Sequence, residues 1–156
     1  MNRQFLWSAL SVAVLVTCGT VHSQPHNNSP SHYGIAPEAV ERVEILYYPE
    51  QILTRTALTP EMLERQYMYK VEIREFPASF QREQLVPVLQ TASFSSSAVR
   101  SHDLRTAVLL FDKSGKRMLS LYFDGSGRNG VVNHEPVSTD DAVYRWAKSM
   151  MKGFAD

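Results

Sequence analysis

Two strand-length runs joined by tight turns near the carboxyl end restrict this chain to a fold built on antiparallel pairing. Leu104 to Asp112 is apolar on both of its faces, the pattern of a central strand covered from two sides. Asp112-Lys113-Ser114-Gly115 follows, with aspartate to open a turn and glycine to take up a positive φ. Leu119, Leu121 and Phe123 then alternate with Ser120, Tyr122 and Asp124. Asp124 to Gly130, with three glycines, predicts a second turn into a short strand near 130–133. Connections this short suit antiparallel neighbours, because a parallel neighbour needs a crossover of about a dozen residues or more.

Upstream, Val40, Val43, Ile45 and Tyr47 lie in a β-branched and aromatic run that Pro49 closes, predicting a strand at 41–48. Thr59-Pro60-Glu61 marks a helix start, with threonine as N-cap and proline at the first helical position, and the helix runs over 60–67. Tyr69, Val71 and Ile73 alternate strictly with Lys70, Glu72 and Arg74, so the charged set takes one sheet face and should meet water. Phe80, Leu85, Val88 and Leu89 have helical spacing, interrupted at Pro87, and Phe94 with its serine cluster reads as loop. The last helix is expected to be capped by Ser138 or Thr139. Asp140 and Asp141 lie at its positive end, Lys148 and Lys152 lie near its negative end, and Val143, Trp146, Ala147, Met150 and Phe154 form its apolar stripe. The order β-α-β-α-β-β-β-α predicts an α+β domain, one antiparallel sheet of about five strands with helices packed on one face.

The domain occupies 38–156. Before it, residues 24–37 carry three prolines among amides and serines and read as a flexible linker. Residues 1–23 have the order of a secretory signal peptide: Arg3, an apolar run from Phe5 to Val16, then Val21-His22-Ser23 before a cut at Gln24. That apolar run is too short to cross a bilayer, which takes about twenty residues. Leu15-Val16-Thr17-Cys18 resembles the lipobox of bacterial lipoproteins, with Thr17 where glycine, alanine or serine is usual. That resemblance implies lipidation at Cys18 and outer-membrane anchoring; the preferred reading removes Cys18 with the leader. Either cut leaves a domain with no internal disulfide, which favours a bacterial envelope over a eukaryotic extracellular setting. The expected location is periplasmic or secreted.

Sixteen basic residues balance sixteen acidic ones, so the chain has no cationic excess with which to neutralise phosphates. Nucleic acid is not an expected partner. A membrane partner follows only from lipidation of Cys18.

Ser101-His102-Asp103 holds the residue types of a hydrolytic triad, but three successive side chains diverge and cannot flank one imidazole. A local turn accounts for them. His102-Asp103 and His134-Glu135 each lie just outside a predicted strand, and a metal or proton-transfer site would require the two loops to meet. No HExxH or CxxC spacing supports a metal site. The segment from Asp124 to Glu135 has the length of a calcium loop, but Arg128 stands where an oxygen ligand belongs and Asn129 where glycine does. No cofactor and no metal are expected. What remains is a surface on which Lys70, Glu72 and Arg74 lie beside Ser120 and Tyr122, with Arg128 on the glycine-rich turn. Mixed charge with tyrosine and arginine suits protein recognition.

The expected function is therefore an exported noncatalytic binding module, of inhibitor or immunity type, with another protein as partner. Two alternatives stand beside it. One is a small secreted hydrolase or metal-dependent enzyme using the His102/Asp103 and His134/Glu135 loops. The other is a structural envelope protein that self-associates through an edge strand.

Overall fold

The computed structural model describes residues 27–28, 36–74, 84–99 and 102–152. The signal-peptide region with Cys18, the Ser101 hydroxyl and the Phe154 end of the last stripe lie outside the described residues.

The strands are β1 (Asn27–Asn28), β2 (Arg42–Tyr47), β3 (Tyr69–Arg74), β4 (Phe94–Ser96), β5 (Leu104–Phe111), β6 (Arg117–Asp124), β7 (Asn129–Val132) and β8 (Glu135–Thr139). The helices are α1 (Pro60–Gln66), α2 (Val86–Thr91) and α3 (Ala142–Met150). All strands join one open antiparallel sheet in the order β1-β4-β8-β7-β6-β5-β2-β3. Seven of them belong to the α+β domain, and the eighth is the two-residue β1, paired with Phe94 and Ser95 at the sheet edge.

The five-strand expectation is too low, for a physical reason. β4 and β8 are short, two of the three residues of β4 are serine, and β8 contains Pro136, so neither has a strong local signal. β8 is a strand because it turns back on β7, Val132 opposite Glu135, and β4 is one because it then pairs with β8, Phe94 opposite Thr139 and Ser96 opposite Val137. Ser138 and Thr139 are consequently in β8 rather than capping α3. The cap position falls to Asp141, in the left-handed region at φ 62°, and the Asp140 carboxylate accepts from Ala142 N at 3.2 Å. The other Asp140 oxygen accepts from Ser93 N at 3.0 Å, tying α3 to the α2–β4 junction. The stretch expected to be linker also contributes β1, and its last residue, Pro37, opens a 3-10 turn that ends at Ala39 within the expected domain.

A second correction concerns the layers. One sheet face carries Val43, Ile45 and Tyr47 of β2, Val108 and Leu110 of β5, and Leu119, Leu121 and Phe123 of β6. Against it pack Leu85 and Leu89 from the α2 segment and Val143, Trp146, Ala147 and Met151 from the α3 segment. The opposite face carries Leu46, Leu104, Ala107, Leu109, Phe111 and Tyr122, and it is covered by Leu58 and by Leu63 of α1. Helices thus lie on both faces, which is why all eight residues of β5 are buried. The start of α1 is as its sequence indicates: Thr59 Oγ1 accepts from Met62 N at 3.3 Å, and Pro60 opens the first turn. β3 has the expected register, with Tyr69 stacked on Tyr47 and Lys70, Glu72 and Arg74 on the other side.

Candidate functional site

Position along α1 divides the opposite face into two halves. On the β3 side, pairing sets Arg42 opposite Arg74, Glu44 opposite Glu72 and Leu46 opposite Lys70. Three cations and two carboxylates interlock there. Lys70 Nζ lies 3.1 Å from Glu44 and 3.3 Å from Glu72, Arg42 pairs with Glu44, and Arg74 pairs with Glu72. Lys70, Glu72 and Arg74 are therefore members of a network and not three independently solvated groups. Their neighbours hold Glu72 below the usual carboxylate range, the Arg74 hydrogen bond contributing most.

On the β6 side, Glu64 reaches down from α1. Arg117 of β6 grips its carboxylate with both nitrogens, at 2.9 Å each, and the Tyr122 hydroxyl donates to it as well. Burial alone would raise the Glu64 carboxyl, but the hydrogen bonds from Arg117 and Tyr122 outweigh it and hold the group below its ordinary value. Burial, followed by the hydrogen bond to Glu64 and its charge, pushes the Tyr122 phenol up to about 12. The carboxylate thus stays charged and the phenol stays protonated across the neutral range. Arg117 and Arg42 lie over the Phe111 ring, 5.7 Å and 3.8 Å from its centroid, and so join the two halves.

Between α1 and β6 opens a hollow of about 390 Å³, lined by Pro60, Glu61, Glu64, Arg65, Arg117, Tyr122 and His134. His134 reaches it from the two-residue turn between β7 and β8. Asn133 and His134 both have positive φ, 45° and 75°, as a type I′ hairpin turn requires. Glycine is the favoured residue at the second of these positions, and a side chain there costs about 1–2 kcal/mol of backbone strain.

The structure brings Lys70, Glu72, Arg74 and Tyr122 to one face, as their alternation predicts. Arg128 is elsewhere, in the β6–β7 turn, where its backbone N donates to Ser126 Oγ at 3.2 Å. That turn is closed on itself: the Asp124 carboxylate accepts from Ser126 N at 3.1 Å and from Asn129 Nδ2 at 3.0 Å.

His102 and His134 lie against different stretches of β6, one near its end at Asp124 and the other near its middle at Ser120. Leu104, two residues after His102, is opposite Asp124, whereas Asn133 N donates to Ser120 O at 3.0 Å. Four residues of strand separate these points, about 13 Å. The Asp103 carboxylate accepts from Leu58 N at 2.9 Å and from Arg105 Nε at 3.0 Å. Among the described residues, no group of three or more His, Cys, Asp or Glu could hold a metal ion.

Glu64, Arg117 and Arg105 carry this architecture without having been singled out in the sequence. For Arg105 a signal was present, a lone charge inside an otherwise apolar strand. Glu64 and Arg117 look like ordinary surface residues until the fold sets α1 over β6. Comparison of the chain with protein-family models, curated proteins and solved structures finds no match.

Proposed function

We propose that this protein is an exported, noncatalytic module that binds another protein through the face formed by α1, β3, β6 and the β7–β8 turn. The leader pattern of the first 23 residues sends it to the envelope or beyond. The observation that carries the binding reading is His134: an imidazole kept at a backbone position that favours glycine, on the rim of a hollow whose polar groups are already fixed. Strain of this kind concentrates at sites of function. Glu64 and Tyr122 are each locked in one protonation state, which favours recognition over proton transfer. Prearranged charge, tyrosine and arginine are the usual ingredients of interface anchors.

The test is capture of a partner from the protein's own envelope extract by the parent and two variants. His134→Gly relieves the turn and is expected to raise stability by about 1 kcal/mol in urea unfolding while weakening capture. Charge reversal at Glu72 and Arg74 is expected to weaken capture with the fold retained. If both variants remain folded and retain the same partner at parental strength, the reading fails.

A further inference from the structure

The sheet ends differently at its two edges. One edge is β1, two residues long; the other is β3, six residues whose register with β2 runs unbroken from Tyr69 to Arg74. Proteins usually blunt an edge with a proline, a bulge, a very short strand or free charge. β3 has no proline, glycine or register shift. Its lysine is already neutralised, with Lys70 Nζ 3.1 Å from Glu44 and 3.3 Å from Glu72. Among the described residues, β3 pairs with β2 alone. Its apolar side is left half-covered as well: Val71 and Ile73 pack against the core but stay half-buried, and Tyr67 and Met68, 39% and 52% exposed, stand just before the strand.

The charge pattern along β3 selects the strand that fits beside it. In antiparallel pairing, directly opposite residues share a sheet face, so a twofold axis between two copies of β3 passes through one residue position. Centred on Val71, the pairing sets Lys70 opposite Glu72 of the second copy and Glu72 opposite its Lys70. The four charges then alternate in sign around the axis. Centred on Glu72, the pairing would set Glu72 against Glu72 and Lys70 against Arg74; centred on Lys70, it would set two lysines together. Centring on Ile73 brings Glu72 to Arg74 but overlaps only residues 72–74 of the strand. β3 is therefore complementary to itself in the one register that combines opposite charges with most of its length.

We propose that two copies of this protein join β3 to β3, antiparallel about a twofold axis at Val71, so that their sheets become one. Such an interface is isologous and closes on itself, which leaves no further edge of this kind to propagate. Main-chain hydrogen bonds supply the attraction, and the Lys70–Glu72 pairs fix the register. Because the axis is perpendicular to the sheet, the α1 faces of both copies lie on the same side, and the dimer presents the candidate binding face twice. The pairing does not depend on that face having a partner.

The experiment is sedimentation of the purified protein with a charge exchange across the axis. The parent's mass should rise from monomer to dimer between about 1 and 100 μM, the weak end of the range for interfaces of modest size. Lys70→Glu alone sets glutamate against Glu72, and Glu72→Lys alone sets lysine against Lys70, so each should weaken dimerisation by about 10-fold or more. An equimolar mixture of the two variants restores both opposite-charge pairs and should form heterodimers at the parent's concentrations. If either variant fails to fold, hydrogen exchange of the parent decides: amides of residues 70–74 should become more protected at the higher concentration. A folded parent that stays monomeric at 100 μM, a mixture of folded variants that does not recover the dimer, or β3 protection that ignores concentration overturns the proposal. His134→Gly, on the far side of β6 and β5 from β3, should leave the mass unchanged while weakening envelope capture, so the two readings fail separately.

Discussion

The Tyr122 hydroxyl donates to a Glu64 oxygen that also accepts from Arg117, so two ionisations are pushed apart in one contact. For Tyr122 the native pKa, about 12, lies above the ordinary 10.0. Its contribution to stability is present below pH 10 and is lost as pH rises through about 12, because the native state keeps a proton that the unfolded state has given up. For Glu64 the sign is opposite. Its native value is lowered from 4.5, so its contribution is present above that range and lost as pH falls through the native value. Urea unfolding against pH should show both limbs. Tyr122→Phe should flatten the alkaline limb, with the remaining slope coming from Tyr144, whose phenol burial and Glu50 also raise. Glu64→Gln should flatten the acid limb and bring the ultraviolet titration of Tyr122 back toward 10. An unchanged tyrosine titration in Glu64→Gln would contradict the contact.

Among the elements, the β6–β7 hairpin is the least tolerant of change. A Cβ on Gly130 would lie 1.8 Å from the Tyr122 carbonyl oxygen, which is backbone and cannot step aside. Gly130→Ala should therefore cost at least about 2–3 kcal/mol in urea unfolding, and β7 should lose amide protection before β5 does. Elements whose signals are local were legible in the sequence. The β3 alternation and the Thr59-Pro60 helix start need nothing beyond their own residues, and each lies within a residue or two of its expected bounds. β4 was not legible, because a partner more than 40 residues away makes it a strand, and β8, though hairpinned to β7, carries a proline and no alternating apolar pattern to announce it. The site followed the same division. Tyr122 and the β3 charges were placed on one face by their period, whereas Glu64 depends on which face α1 takes. α1 buries only Leu63 fully, and one leucine does not announce a side.

At the scale of the whole molecule, the sheet is a meander from β5 to β8 joined to a β2–β3 pair that brackets α1. The join is a single long-range register, Arg42 opposite Phe111 through Tyr47 opposite Thr106. Both halves of the core need it, since Leu46 on one face and Ile45 on the other pack only once β5 lies beside β2. A chain ending at Asp103 should accordingly give little strand signal in circular dichroism and no protected amides in residues 42–47. Protection there equal to that of the parent would show that β2 and β3 fold by themselves.

That register also governs the order of events at synthesis. A chain growing from its amino terminus emits residues 42–74 long before Phe111 exists, so the apolar β2 segment stays unpaired for the time taken to add nearly forty more residues. An open strand edge invites pairing with any neighbour. The nascent polypeptide is therefore most at risk of sticking to its neighbours in the interval that ends when β5 emerges, and whatever holds it unfolded must stay bound until then.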